Sequence, residues 1–337
     1  MKKRNISTKQ NLKKNYIFYF WADTEKKIGL GHFNRLKSVS EEFKKYGLNV
    51  KFVTKSNLIS KKLISNDNIF LPKNISHYVK NHKIPKKICH KDKKHKIIFI
   101  DSYKIDNIFF KNLKKSNFKI IYFNDFKKKN NADLNICLGS KVINKKYLSG
   151  FDYIPLSKEY SKAKKNLLNK NTLLITLGSS DPKKLTLKIV RKLLKFELNL
   201  IVIIGKYYDE EIPKQLLKFN SKKIRLIYHP KNLFKYFRNS DSVICAGGLT
   251  VFESLSLGIP TICLELCENQ SVNILNLKKF KLIKSINLKF KTNINFRKEL
   301  LDVMFNKKYR LMISKKSIKI VNKNGSHNIL KQIIKRF

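Results

Sequence analysis

The chain has 337 residues, of which 42% are hydrophobic and 29% charged. This length is more than one hydrophobic core usually serves, and the apolar content excludes a disordered chain, so two domains are expected. Lysine and arginine total 74 against 23 acidic residues, a formal net charge of +51. The excess is mostly lysine spread along the chain, which argues against specific nucleic-acid binding, because arginine is the better reader of bases and phosphates.

The charge has a simpler origin in codon usage. Lysine, asparagine, isoleucine and phenylalanine all have A/T-rich codons, and all are abundant in this sequence. A weak attraction to anionic membrane surfaces remains open. The charge alone would favour a nucleic-acid-binding protein, but the sequence contains no recognition motif that supports this interpretation.

The sequence predicts a protein of the cytoplasm without a metal or cofactor. Its five cysteines follow no metal-binding spacing and lie mostly in apolar runs, which is typical of a reducing compartment. No segment approaches the roughly 18 apolar residues of a membrane-spanning helix. The apolar run at residues 16–22 is too short for a convincing signal peptide and is followed by no cleavage site. The oligomeric state is not predicted.

Short apolar runs alternate with segments of helical spacing along the whole chain. Residues 1–14 are polar and basic and predict a flexible tail. Strands are predicted in the first half at residues 17–20, 50–53, 97–100 and 119–123. Strands are predicted in the second half at residues 173–177, 200–204, 225–228, 242–245 and 261–264. Helices are predicted at residues 33–43, 185–196 and 233–239, and Gly47 ends the first of them.

This alternation predicts an α/β fold with two Rossmann-like domains. The best linker candidate lies at residues 153–155, which gives domains at 15–155 and 156–337. Two parallel sheets are expected to face each other across a cleft, with ligands at the carboxyl ends of the strands. Whether the last segment, residues 313–337, packs back on the first domain is open.

The first candidate motif follows the first predicted strand and begins a helix. Gly29 and Gly31 allow a tight turn and a close backbone approach to a ligand, and a helix N-terminus favours negative charge. A dinucleotide fingerprint would need a third glycine where Asn34 stands, so NAD binding is not expected. His32 and Arg35 complete the motif. The alternative role for His32 is a helix cap or a solvated loop histidine.

Acidic and hydroxyl side chains follow two other strands of the first half. Asp101 and Tyr103 come after the strand at 97–100, and Asp125 comes after the strand at 119–123. We expect these groups at the ligand-binding edge of the sheet, Asp101 as a catalytic helper and the others as substrate contacts. Acids at strand ends also serve as helix caps, which is the competing interpretation.

The second half carries three glycine-rich or amide-rich motifs. Gly178 and Ser179 follow its first strand and offer backbone N–H groups and a hydroxyl. The alternative there is an ordinary turn in which Ser or Asp caps a helix and Pro182 opens it. The second motif predicts a diphosphate cradle at Gly247, Gly248, Leu249 and Thr250, followed by a ribose-binding acid at Glu253. The third motif predicts amide contacts at Asn269 and Gln270.

Taken in order, these motifs resemble the glycosyltransferase-B superfamily and its MurG-like branch. Within that branch they are most similar to the PseG/SpsG-like hydrolases of the pseudaminic acid pathway, which remove UDP from UDP-2,4-diacetamido-2,4,6-trideoxy-β-L-altropyranose. The resemblance runs from about residue 17 to residue 280. It rests on Asp23, the Gly29–Arg35 motif, Asp101-Ser102-Tyr103, the Gly178–Pro182 turn, and the stretch from Gly247 to Gln270.

The resemblance implies a role for each matching position. His32 would be the general base that activates water, Glu253 would bind ribose, and Tyr228 would lie where the uracil ring is held. The glycine pair with Leu249 and Thr250 would hold the diphosphate, and Asn269 and Gln270 would contact diphosphate or sugar. The chain departs from the family pattern at Trp21, Asn124, Ser179 and Leu249, where Arg, an acid, Gly and Ser are usual.

These roles predict inverting hydrolysis of a UDP-activated amino or deoxy sugar at its anomeric carbon. The biological setting would be nonulosonic acid or surface polysaccharide biosynthesis. A glycosyltransferase on the same fold is the alternative, with His32 deprotonating an acceptor hydroxyl in place of water.

Overall fold

The computed structural model describes residues 10–26, 29–65, 68–89, 94–161, 170–287 and 296–337. The described residues form two compact units. Unit 1 contains the residues up to Pro155 together with Asn324–Phe337, and unit 2 contains Leu156–Lys323. Among the described residues, no helix combines the length and the apolar character needed to cross a bilayer.

Unit 1 is built on a seven-stranded parallel sheet with the order β3-β2-β1-β4-β5-β6-β7. Its central strands are runs of large apolar residues, as expected for strands covered by helices on both faces. The strands are β1 Tyr16–Trp21, β2 Val50–Lys55, β3 Ile69–Leu71, β4 His95–Ile100, β5 Phe118–Phe123, β6 Leu134–Cys137 and β7 Tyr147–Ser149.

Four helices connect these strands: α1 Gly31–Lys45, α2 Leu58–Leu63, α3 Ile75–Lys80 and α4 Asn107–Lys115. Helix α1 buries Phe33, Leu36, Val39 and Phe43 at the spacing that the sequence predicts, and Gly47 follows with a φ of 81°. Short 3-10 turns occur at Lys86–Ile88 and Phe151–Tyr153. On one face of the sheet, Trp21 and Ile100 pack together with Phe109 of α4 in the core of unit 1.

Unit 2 repeats this architecture with a six-stranded parallel sheet, in the order β10-β9-β8-β11-β12-β13. Its strands are β8 Thr172–Thr176, β9 Asn199–Ile204, β10 Ile224–Tyr228, β11 Ser242–Ala246, β12 Thr261–Glu265 and β13 Lys284–Asn287. Its helices are α5 Lys158–Ser161, α6 Leu185–Leu193, α7 Glu211–Leu217, α8 Phe234–Arg238, α9 Leu249–Ser256, α10 Ser271–Lys279, α11 Arg297–Met304 and α12 Lys307–Ile320. A 3-10 turn spans Glu268–Gln270.

The last helix, α13 Gly325–Arg336, belongs to unit 1 and packs against α1. Gly325 lies against the backbone of Ile154, where an added Cβ would be 1.9 Å from the carbonyl oxygen. His327 Nδ1 is 3.0 Å from Glu42 Oε1 on α1. The final residues therefore complete the unit with which the chain starts.

The predicted α/β class with two parallel sheets is confirmed, and three local expectations need correction. Residues 10–15 are helical and Leu12 is buried, which differs from the predicted flexible tail; residues 1–9 lie outside the described part. Helix α6 ends at Leu193, before residue 196. Pro182 lies in the turn before α6, because that helix begins at Leu185.

Strand order changes direction once in each sheet, between β1 and β4 in unit 1 and between β8 and β11 in unit 2. Helices leaving such neighbouring strands diverge to opposite faces, so a crevice opens at the strands' carboxyl ends. In both sheets, predicted site residues follow the strands at these positions.

Candidate functional site

In unit 1, a cluster of charged side chains lies at the carboxyl ends of β1, β4 and β5. His32 and Arg35 are on the first two turns of α1, which follows β1, and Asp101 comes directly after β4. His32 Nδ1 is hydrogen-bonded to Asp101 Oδ1. Arg35 donates from Nε to Asp101 Oδ2 and from Nη2 to Asp101 Oδ1, both at 2.6 Å. One carboxylate thus holds an imidazole and a guanidinium in fixed orientations.

Asp125 and Tyr103 extend this cluster. Arg35 donates from Nη1 to Asp125 Oδ2 at 2.8 Å, and the Tyr103 hydroxyl donates to the same oxygen at 2.8 Å. The Tyr103 ring packs edge-on against the imidazole of His32, with 4.5 Å between ring centroids. The Arg35 guanidinium lies 4.6 Å from the ring centroid of Phe123. The structure therefore brings together all five predicted polar residues of unit 1.

The charges of the cluster fix its protonation. Burial alone would raise the pKa of Asp101, but Arg35 and His32 outweigh it and hold that pKa well below its ordinary value. Burial alone would lower the pKa of Arg35, but Asp101 and Asp125 outweigh it and raise that pKa above its ordinary value. Asp101 is therefore an anion and can only accept the hydrogen bond, so His32 Nδ1 is the donor.

The loop that presents His32 is tied to its surroundings through Glu25. The Gly29 N–H donates to the Glu25 carbonyl at 2.7 Å, and Gly29 has a φ of 77°, a conformation that favours glycine. The Glu25 carboxylate accepts from Lys55 Nζ at 2.5 Å and from Asn74 Nδ2 at 2.6 Å. Strand β2 and the start of α3 thereby anchor this turn, and Gly31 is the first residue of α1.

Asp23 is a buried acid of a different kind at the same sheet edge. Its Oδ2 accepts from the Ile75 N–H at 2.8 Å, at the start of α3, while its Oδ1 is buried without a hydrogen-bond partner. Burial raises the pKa of Asp23 to about 7, and Glu25 adds to the rise. Such an acid titrates near neutrality, unlike Asp101.

In unit 2, the turn after β11 is held by two amide side chains. Gln270 Oε1 accepts from the N–H groups of Gly247 at 3.3 Å and Leu266 at 3.0 Å. Asn273 Nδ2 donates to the Gly247 carbonyl at 3.0 Å. A Cβ on Gly247 would lie 2.7 Å from the Ile274 side chain, so any larger residue would require Ile274 to move. Gln270, predicted as a ligand contact, uses its carbonyl oxygen to brace the glycine turn.

Helix α9 begins at Leu249, directly after this turn. Its first N–H groups lie at a helix N-terminus that follows Gly247 and Gly248, the arrangement that favours a phosphate. Thr250 is in the first turn and Glu253 in the second, and both are partly exposed. Burial and the nearby Glu159 carboxylate raise the pKa of Glu253 to about 7, although the Tyr160 hydroxyl opposes the rise.

The turn after β8 lies at the other side of the unit 2 switch point. Gly178 has a φ of 104°, and the Ser179 carbonyl accepts from the Tyr207 N–H at 2.8 Å. Asp181 accepts from the N–H groups of Leu185 at 2.9 Å and Thr186 at 2.7 Å, so it caps α6. Capping explains Asp181, whereas Gly178 and Ser179 stay available as backbone donors near β11.

The two remaining predicted residues follow β12 and end β10. Asn269 is in the 3-10 turn that follows β12. Tyr228 ends the edge strand β10 and is 51% exposed. Strand β10 is three positions from β11, which at about 4.8 Å per strand is roughly 14 Å. Tyr228 therefore lies beyond the immediate surroundings of the glycine turn.

Some residues of these sites were not predicted from the sequence. Asn273 lies one helical turn after Gln270, and this i, i+3 spacing was the available signal. Glu25, Lys55 and Asn74 come from three separate segments, and Tyr160 lies in the short helix α5, so no local pattern points to them.

Comparison with known proteins finds matches in both sequence and structure. Residues 172–333 match the model of the glycosyltransferase family 28 C-terminal domain. An uncharacterized protein of Methanocaldococcus jannaschii is 32% identical over 277 residues, which cover 72% of this chain and 54% of that protein. The spore coat polysaccharide biosynthesis protein SpsG of Bacillus subtilis is 23% identical over 137 residues, which cover 38% of this chain and 40% of SpsG. The chain spans about half the length of these curated relatives.

Solved structures share the fold at low sequence identity. MurG of Acinetobacter baumannii has a TM-score of 0.61 and 15% identity, covering 95% of this chain and 99% of MurG. The S. aureus MnaA–UDP co-structure has a TM-score of 0.64 and 11% identity, covering 95% of this chain and 96% of MnaA. These similarities establish the two-sheet α/β architecture.

Proposed function

We propose that this protein hydrolyses a UDP-activated amino or deoxy sugar at its anomeric carbon, releasing UDP and the free sugar. The biological setting we propose is the biosynthesis of a nonulosonic (pseudaminic-type) acid or of a surface polysaccharide. The single observation that carries the proposal is the His32–Asp101 pair on a glycine-rich turn at the unit 1 switch point. The family 28 match of residues 172–333 and the polysaccharide role named for SpsG support it.

The binding roles follow from the chemistry of unit 2. The N–H groups at the start of α9 and the turn at Gly247 and Gly248 would hold the diphosphate. Glu253, when ionised, would accept hydrogen bonds from the ribose hydroxyls. Gly178 and Ser179 would add backbone donors, and Asn269, Thr250 and Leu249 would line the same site. Tyr228 would lie beside the uracil ring. MnaA, which was solved together with UDP, has a similar fold.

The reaction we propose needs one proton acceptor. A water oxygen attacks the anomeric carbon, the bond from that carbon to the diphosphate oxygen breaks, and its electron pair leaves with UDP. His32 Nε2 takes the proton of the water, and the anion of Asp101 stabilises the imidazolium. Arg35 acts as a positioning residue because it orients Asp101, and Asp125 in turn holds Arg35. Tyr103 packs beside the imidazole.

The direct test uses a panel of UDP-sugars in water enriched in ¹⁸O, without any acceptor. We expect UDP release with one label in the sugar and none in the UDP, and with inversion at the anomeric carbon by proton NMR. His32→Ala should retain UDP binding, and its turnover rate should fall by roughly 10²–10⁴-fold, which is the usual contribution of a general base to the rate. The matched control is His77→Ala, an exposed histidine on α3. Unchanged turnover in His32→Ala would refute the assignment.

A glycosyltransferase is the second candidate, favoured by the family 28 match. In that case His32 would deprotonate an acceptor hydroxyl, and UDP would be released only when an acceptor is present. Label in the UDP phosphate would instead indicate attack at phosphorus and would contradict both candidates.

A further inference from the structure

Tyr160 is a buried tyrosine of unit 2 whose ring is well packed and whose hydroxyl is unpaired. It belongs to the short helix α5 and is 1% exposed. Its ring packs edge-on against Phe234 and Phe237 of α8, with 5.3 Å and 6.1 Å between ring centroids. Among the described residues, none forms a hydrogen bond with its hydroxyl. Because an unpaired buried hydroxyl costs free energy, phenylalanine would serve the core better at this position.

The Tyr160 hydroxyl lies beside the carboxyl group of Glu253, in the second turn of α9. Each group alters the pKa of the other: the Glu253 carboxyl raises the pKa of Tyr160, and the Tyr160 hydroxyl opposes the rise in the pKa of Glu253. An unpaired donor is thus placed next to an acid that loses its proton near neutral pH.

The other groups around the Glu253 carboxyl are poor hydrogen-bond donors to it. The Glu159 carboxylate disfavours the ionised form of Glu253. Cys245, at the end of β11, is a buried thiol whose pKa Glu253 helps to raise, and a thiol donates only weakly. Helix α12 packs against α9 and directs the uncharged Ser314 and Ile318 towards the turn after α9. The tyrosine hydroxyl is therefore the strong donor within reach of this carboxyl in the described part of unit 2.

We propose that Tyr160 is a positioning residue, whose hydroxyl donates a hydrogen bond to the ionised Glu253 carboxylate and holds it for the ribose hydroxyls of a bound nucleotide. The inference rests on the proposed function, in which Glu253 accepts from the ribose. A hydrogen bond to a charged acceptor is stronger than one between neutral groups. A carboxylate that is already oriented loses less freedom when the ligand binds, so the affinity for the ligand increases. The hydroxyl that burdens the core thus has its use in the nucleotide complex.

The test is Tyr160→Phe, which keeps the ring contacts with α8 and removes only the hydroxyl. Calorimetry at pH 8 compares UDP with 2′,3′-dideoxyuridine 5′-diphosphate, which lacks both ribose hydroxyls. We expect the variant to bind UDP about tenfold more weakly than the unaltered chain, and to bind the dideoxy ligand equally well, because only UDP contacts Glu253. With a UDP-sugar that the protein hydrolyses, KM should rise by about tenfold and kcat should stay unchanged.

A second measurement needs no ligand. In protein labelled with ¹³C at the glutamate carboxyl groups, NMR titration should give a higher pKa for Glu253 in Tyr160→Phe than the value of about 7 in the unaltered chain, because the ionised form has lost its donor. Glu253→Gln assigns the signal. Thermal unfolding at pH 6 should show no loss of stability in Tyr160→Phe, since its hydroxyl has no partner to lose.

The matched control is Tyr309→Phe. Tyr309 is a partly buried tyrosine of α12 that packs on the core of unit 2 beside Lys284, and its hydroxyl should affect neither UDP affinity nor the pKa of Glu253. Equal UDP affinity in Tyr160→Phe and the unaltered chain, equal losses for both ligands, or an unchanged pKa of Glu253 would each overturn the inference. UDP binding without hydrolysis of any UDP-sugar would contradict the proposed function alone, whereas no UDP binding by the unaltered chain would overturn both.

Discussion

The buried carboxyl group of Asp23 makes a sharp prediction about stability and pH. Its pKa is raised to about 7 from its ordinary value of 3.8. Between these two values the unfolded chain has lost the proton while the folded chain keeps it, so stability falls as the pH rises. At 1.36 kcal/mol per pKa unit the difference amounts to about 4 kcal/mol once the pH exceeds 7.

The perturbation is Asp23→Asn, which keeps the shape and can still accept from the Ile75 N–H. We expect the free energy of unfolding of this variant, relative to the unaltered chain, to increase from pH 4 to pH 8 by up to about 4 kcal/mol. The variant should differ little from the unaltered chain at pH 4, where the folded state holds the proton and the unfolded state has only begun to lose it.

The assay is urea unfolding followed by tryptophan fluorescence. The chain has one tryptophan, and Trp21 is buried in unit 1 two residues before Asp23, so it reports on this region. The control is Asp106→Asn, an exposed acid that caps α4 through the Phe109 N–H at 2.7 Å. A stability difference for Asp23→Asn that is constant or decreases with pH would refute the reasoning.

Three other changes follow from the described contacts. Arg35→Lys keeps the positive charge but removes the two-pronged contact with Asp101, and we expect a loss of about 1–3 kcal/mol in urea unfolding, because one buried carboxylate oxygen loses its donor. The exposed Arg238→Lys should be neutral. The pKa of Glu253 near 7 predicts that affinity for a UDP-sugar, measured by calorimetry, increases as the pH rises through 7, and that Glu253→Gln removes this trend. Gly325→Ala places a Cβ 1.9 Å from the Ile154 carbonyl and should cost about 1–3 kcal/mol in unfolding, whereas Gly31→Ala, with open space around it, should not.

The sequence predicted the sheet edge of unit 1 well because its signals are local. Strands β1, β4 and β5 each end in a run of at least four large apolar residues, and in parallel sheets the carboxyl ends of neighbouring strands meet. His32, Arg35, Asp101 and Asp125 follow such ends, so their convergence could be expected from strand positions alone. The roles of these residues in catalysis remain predictions.

Other features depend on contacts between distant segments and could not be predicted. Gln270 turns its amide oxygen to the N–H groups of Gly247 and Leu266, and this contact between separate segments is invisible in the sequence. The burial of Asp23 depends on α3, a helix of six residues with little periodicity. The assignment of α13 to unit 1 depends on the close approach of Gly325 and Ile154.

The placement of α13 has a consequence for how the chain folds during synthesis. Unit 2 is continuous in sequence, so all of its strands and helices precede residue 324. Unit 1 can form its seven-stranded sheet before that point but lacks α13, which packs against α1 and buries Ile329, Leu330 and Ile333. A nascent chain therefore leaves part of unit 1 uncovered until α13 has been synthesised, which lengthens its exposure to aggregation.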